Sequence, residues 1–256
     1  MSVSENVVGQ EFQIGETISK TFSVYLKNFV PLTLIVLVLS VPSLLLSWYF
    51  GHFDQAALQA ELMTNGFGVS YFLPVFVSML TMYLVAASVT YGVFQSLNGG
   101  TVVLGECLSK GLSRIVPVIL VGILATIVIG IGMVLLIVPG IMAAVALIVV
   151  LPVAVIENPG AIASLKRSAE LTSGSRWMIF GLILILGIAV GAIGWVIGFV
   201  SAGLFISGLS IVAILIGAVF NVVAGTFFQV LYAVVYNNLR VAKEGISTSQ
   251  IAAVFD

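Results

Sequence analysis

The chain has 256 residues, of which 61% are hydrophobic and only 7% charged, and its net charge is −1. Soluble domains carry roughly 25% charged residues, so this composition excludes a soluble globular fold. Nine Lys and Arg spread this thinly give no nucleic-acid footprint, and one cysteine (Cys107) with one histidine (His52) provides neither a disulfide framework nor a Cys/His zinc site. No nucleic-acid partner, metal or cofactor is expected.

Residues 1–13 hold no positive charge and no apolar run, which argues against a cleavable signal peptide, so insertion is expected to begin at the first internal helix. A first short helix is expected over residues 14–28, where Ile14, Ile18, Phe22 and Tyr25, with Phe29 just beyond, share one helical face while Glu16, Lys20, Ser23 and Lys27 occupy others. Such a helix lies in the membrane interface. Residues 29–50 form a first apolar span closed by Trp48 and Tyr49, and 71–97 a second; a crossing takes about 20 residues. The connection between them contains Asp54 and Glu61 without Lys or Arg and belongs outside. A second interfacial helix is expected over 101–114. The next apolar block divides into spans 115–138 and 140–156, because Val138-Pro139-Gly140 breaks helices. Residues 140–156 are short for a crossing and contain Pro152, which keeps a tilted or re-entrant hairpin as an alternative. A third interfacial helix over 159–173 precedes spans 177–200 and 209–236, joined by a turn around 201–208. Residues 1–245 thus read as one transmembrane domain, and 246–256 as a cytoplasmic tail.

All nine basic residues fall in four stretches: Lys20 and Lys27; Lys110 and Arg114; Lys166, Arg167 and Arg176; Arg240 and Lys243. Each intervening block crosses out and back, so one side receives every positive charge, and the positive-inside rule makes that side cytoplasmic. The expected fold is all-α and polytopic: about six transmembrane helices in three hairpins, each preceded by a cytoplasmic interfacial helix. The expected location is the cell (inner) membrane, with both termini cytoplasmic. The pattern Gly-x-x-x-Ser-x-x-x-Ser recurs at Gly15, Ser19, Ser23; Gly105, Ser109, Ser113; and Gly160, Ser164, Ser168. It fits a threefold repeat in one orientation and equally a coincidence of common residues, unlike the inverted repeats of many carriers.

Residues 138–177 contain Pro139-Gly140, Glu157, Lys166-Arg167-Ser168, Leu171-Thr172, Gly174 and Trp177; after the last span come Tyr236-Asn237-Asn238-Leu239-Arg240 and Lys243-Glu244-Gly245. With Gly15-Glu16 through Pro31, these elements resemble the membrane domain found beside some glycerophosphoryl diester phosphodiesterases and the related YciC-type inner-membrane proteins. The resemblance implies a polytopic helical fold. The phosphodiesterase activity of such proteins resides in a separate catalytic domain, whose metal-binding carboxylates and histidines this sequence does not supply.

No Asp, Glu, Lys, Arg or His lies inside the six expected spans, which removes the usual agents of intramembrane acid–base chemistry, and no enzyme activity is expected. Asn221, Gly225, Gln229, Tyr232 and Tyr236 recur at helical spacing in the last span, and Ser78, Thr81, Ser88, Gly92 and Gln95 in the second. Gln95, Asn221 and Gln229 either line a path or form interhelical hydrogen bonds. Gly187, Gly191, Gly194 and Gly198 form a ladder for close helix packing, within the chain or with a second subunit. The cytoplasmic cluster Glu157, Lys166, Arg167 and Arg176 is a candidate for lipid-headgroup or partner contact, against the plainer role of setting topology with Glu157 and Glu170 as ion-pair partners. The expected partners are membrane lipids, anionic ones among them, and a membrane-protein partner or homo-oligomer. The preferred function is non-enzymatic binding or organisation of lipids or a membrane partner; the alternative is a transporter or channel for a small solute lined by the second and sixth spans.

Overall fold

A computed structural model describes residues 12–53 and 55–245, so the expected tail over 246–256 lies outside the described residues. Among the described residues every regular element is an α-helix: α1 Ile14–Lys27, α2 Phe29–Tyr49, α3 Gln55–Asn65, α4 Val69–Leu97, α5 Leu104–Ser113, α6 Ile115–Leu135, α7 Ile137–Ala146, α8 Val150–Ile156, α9 Ala161–Thr172, α10 Arg176–Ile206 and α11 Ser210–Glu244. Six stretches are long and apolar enough to cross a membrane: α2, α4, α6, α7 with α8 over Ile137–Ile156, α10 and α11. The protein is therefore a polytopic helical membrane protein, with the short helices α1, α5 and α9 ahead of its three hairpins.

Three local expectations change. The break in the middle block sits at Leu136, which is extended (φ −163°, ψ 145°), and Pro139 is the third residue of α7. In a first helical turn the missing proline N–H costs nothing, because that position has no intrahelical acceptor. The turn is tight because glycines meet across it: a Cβ on Gly132 would lie 3.0 Å from the Cα of Gly140. The returning crossing is split at residues 147–149, and Pro152 likewise occupies the first turn of α8. Finally, α10 continues to Ile206, which shrinks the turn expected around 201–208 to residues 207–209, with Gly208 at φ 83°.

The helices repeat one arrangement three times. Each hairpin packs on itself (α2 on α4, α6 on α7 and α8, α10 on α11), and its second crossing packs on the first of the next (α4 on α6, α7 on α10, α11 on α2). Each short helix covers both crossings of the preceding hairpin: α5 lies on α2 and α4, α9 on α6, α7 and α8, and α1 on α10 and α11. The contact of α1 with α11 closes the ring. The second crossings α4, α8 and α11 meet one another at its centre.

The register of this repeat differs from the Gly-x-x-x-Ser-x-x-x-Ser frame. Ser19, Ser23, Ser109 and Ser113 are exposed whereas Ser164 and Ser168 are buried, so the frame does not superpose the third unit on the others. The buried pairs at four-residue spacing are Thr17 and Thr21, Cys107 and Gly111, and Ser164 and Ser168. Small residues at these positions let a short helix lie close on the span beneath. Asn238 Nδ2 donates to Thr17 Oγ1 at 3.1 Å, and Ser168 Oγ donates to the Ala146 carbonyl at 2.8 Å. A Cβ on Gly111 would overlap the Ser88 hydroxyl. On α1 the buried face is thus Thr17, Thr21, Val24 and Tyr25, while Phe22 and Phe29, expected on the apolar face of the interfacial helix, are exposed.

Burial is unequal along the spans. From about the midpoint to the end carrying α1, α5 and α9, all six crossings contribute buried residues; the other halves contribute only Ser43, Pro74, Gly140 and Ala213. Those halves expose large apolar side chains such as Leu45, Phe76, Val134, Ile193 and Ile211, a surface suited to acyl chains rather than water. The hairpin order places all nine basic residues at the closely packed end.

Candidate functional site at the basic end

Asn158 (φ 46°) and Gly160 (φ 97°) turn the chain sharply between α8 and α9, leaving Glu157 at the end of α8 and facing the second turn of α9. There Arg167 Nε donates to Glu157 Oε2 at 2.8 Å. Arg167 Nη2 also donates to Glu244 Oε1 at the end of α11, where Gly245 in the left-handed conformation (φ 63°) stops the helix. Arg240 Nε donates to Glu244 Oε2 at 2.8 Å and stands 3.7 Å from Glu157 Oε1. Tyr236 Oη donates to Glu157 Oε1 at 2.8 Å, and Arg240 Nη1 donates to Tyr236 Oη at 3.3 Å. Two arginines, two carboxylates and a phenol form a closed, neutral ring joining α8, α9 and α11. Although burial works against the charged Arg167, the hydrogen bonds it donates to the two glutamates hold its proton more tightly than usual.

Beside this ring the charges are not matched. Arg176 Nη2 donates to the Ala169 carbonyl at 3.1 Å, and its Nε is shielded from solvent without a partner. Lys243 Nζ donates to the Glu170 carbonyl, with Arg176 and Arg167 close enough to repel it. Lys166 is exposed. Among the described residues every ion pair uses Arg167 or Arg240 as its cation.

The expected site residues separate accordingly. Glu157 and Arg167 pair as anticipated, but the second acid is Glu244 rather than Glu170, and Arg176 and Lys166 stay outside the ring. Sequence reasoning did not join Tyr236, Arg240 and Glu244 to Glu157. Their four-residue spacing, which puts all three on one face of α11, was the available signal.

The polar stripes do not face each other. Gln95 is in the last turn of α4 at the basic end, where its side chain accepts the Val103 N–H at 3.2 Å and donates to Glu106. Ser88 and Gly92, above it on α4, lie under α5, against Gly111 and Cys107. Asn221 is exposed and returns its amide to the Gly217 carbonyl of its own helix at 2.8 Å, and Gln229 is half-buried. The glycine ladder is not an internal packing seam either: a Cβ on Gly187, Gly191 or Gly198 would meet nothing within 4 Å, and only Gly194 is covered, by Phe220.

Fold and site together define a multi-pass helical membrane protein whose basic end is packed, ion-paired and partly uncompensated in charge. Residues 74–239 match the family described as a domain of unknown function, DUF7847, and the chain belongs to that family. No curated protein and no solved structure matches it.

Proposed function

We propose that this protein is a non-enzymatic component of the cell membrane that binds or organises lipids or a membrane partner, with its basic end and both termini on the cytoplasmic side. The observation that carries the reading is the filling of the bundle's centre. α4, α8 and α11 pack on one another, and Val89 and Val93, Val153 and Ile156, and Val230 and Val234 on these three helices are fully buried, which supports a sealed support rather than a conduit. The covering of the α4 polar stripe by α5 weighs against a path between the second and sixth spans. Orientation rests on the nine basic residues at one end, since Lys and Arg near helix ends are retained in the cytoplasm. The kinship of residues 138–177 with the phosphodiesterase-associated membrane domain is part of the same proposal and agrees with a membrane module that has no catalytic centre of its own.

Stopped-flow light scattering on proteoliposomes tests it. Permeability to glycerol, urea and potassium ions should equal that of protein-free liposomes; faster flux of any of them that depends on Asn221 or Gln229 would replace this reading with transport.

A further inference from the structure

The basic end contains more cation than its carboxylates consume. Arg167 and Arg240 are neutralised by Glu157 and Glu244, which leaves Arg176, Lys243 and Lys166 against Glu170 alone. Arg176 opens α10 and Lys243 closes α11, and both reach the last turn of α9: one through the Ala169 carbonyl, the other through the Glu170 carbonyl. These carbonyl contacts fix the two side chains side by side without cancelling either charge. Depth is marked by neighbours: Trp177, directly after Arg176, is 72% exposed, and Ile162 at the start of α9 is 68% exposed. An exposed indole at a span's entry sits at headgroup level, and the isoleucine anchors α9 in the same layer.

Resting on the function proposed above, we infer that Arg176 and Lys243 form a binding site for the phosphate of an anionic phospholipid, with Lys166 as an outer cation. The Arg176 guanidinium supplies a planar fork for two phosphate oxygens, and the Lys243 ammonium supplies a point charge beside it. Arg167, whose Nε and Nη2 donate to carboxylates, positions α9 and does not contact the lipid. This narrows the headgroup contact from the Glu157, Lys166, Arg167 and Arg176 cluster suggested by sequence to residues at the ends of two different spans.

Native mass spectrometry of the full chain, delipidated in detergent and titrated with phosphatidylglycerol or phosphatidylcholine, tests the site. The wild type should retain phosphatidylglycerol in preference, and the Arg176→Gln/Lys243→Gln variant should lose that preference by roughly 25-fold, at about fivefold per cation. Lys110→Gln/Arg114→Gln, which removes two cations from the same end, should leave it unchanged. If the Arg176 variant fails to elute as a folded species, Lys243→Gln alone, at an exposed position, should still show the fivefold loss. Millimolar inorganic phosphate distinguishes the source of the anion: displacement of the lipid would assign the site to phosphate in any form, and retention to phosphate held by its acyl chains. Equal phosphatidylglycerol retention by wild type and both Lys243 variants, or an equal loss in the Lys110/Arg114 variant, overturns the site. Such a failure leaves the permeability result untouched, so site and function fail separately.

Discussion

Tyr236 and Glu157 are 79 residues apart in sequence, yet the phenol donates to the carboxylate at 2.8 Å and ties the last crossing to the end of the fourth. Tyr236 is fully buried, with its ring 5.7 Å from that of Phe94. Tyr236→Phe keeps the ring contact and removes only the donor to a charged acceptor. It should destabilise the protein by about 1.5–3 kcal/mol. Arg167→Gln leaves both Glu157 and Glu244 short of a cation and should cost about 3 kcal/mol, toward the lower end for a broken buried pair because its side chain is 26% exposed. Thermal unfolding in detergent checks the order: wild type above Tyr236→Phe above Arg167→Gln.

The glycine ladder separates into one packed position and three open ones. A Cβ at Gly194 would stand 3.0 Å from Phe220 Cε1, whereas one at Gly191 would meet nothing within 4 Å. Gly194→Leu should therefore overpack the α10–α11 contact and cost about 1–3 kcal/mol, while Gly191→Leu should unfold at the wild-type temperature. Equal destabilisation by the two would mean that a second copy packs against the Gly191 face.

Burial against Gly92 and Gln95, reinforced by the neighbouring Glu106, pushes the Cys107 thiol up to about 12 from an ordinary value of 9.0. Two effects follow. At neutral pH Cys107 should resist maleimides and iodoacetamide in the folded protein and react on unfolding, because the attacking species is the thiolate. The unfolded chain releases this proton near pH 9 and the folded chain only near 12, so the stabilisation is complete below 9 and is lost as pH rises between the two. Cys107→Ser should flatten that part of the stability profile, measured by unfolding at a series of alkaline pH values.

Because Cys107 is inaccessible, topology is read from introduced thiols in a Cys107→Ala background. Ser113 is exposed at the end of α5, and Met63 is 81% exposed on α3 at the opposite end. An impermeant maleimide should label Ser113→Cys only in inside-out vesicles and Met63→Cys only in intact spheroplasts. The reverse pattern would invert the proposed orientation.

The number of crossings, the three short helices ahead of the hairpins and the gathering of charge at one end were legible in the sequence, whereas the last two helices run on to Ile206 and Glu244, past the expected ends at 200 and 236. Each legible feature follows from a one-dimensional quantity: the run of apolar residues needed at 1.5 Å per residue, or the position of Lys and Arg along the chain. Which face of a span meets protein was not legible. In lipid both faces are apolar, so periodicity does not separate Gly194, under Phe220, from Gly191, open to the membrane, or show that α5 covers Ser88 and Gly92. The ring closure of α1 on α11 and the pairing of Arg167 with Glu244, 77 residues away, were likewise decided only in three dimensions. A carboxylate at the end of a span can pair with any cation at the same end, and the packing of α8, α9 and α11 alone selected Arg167 for the neutral ring and left Arg176 and Lys243 with unspent charge.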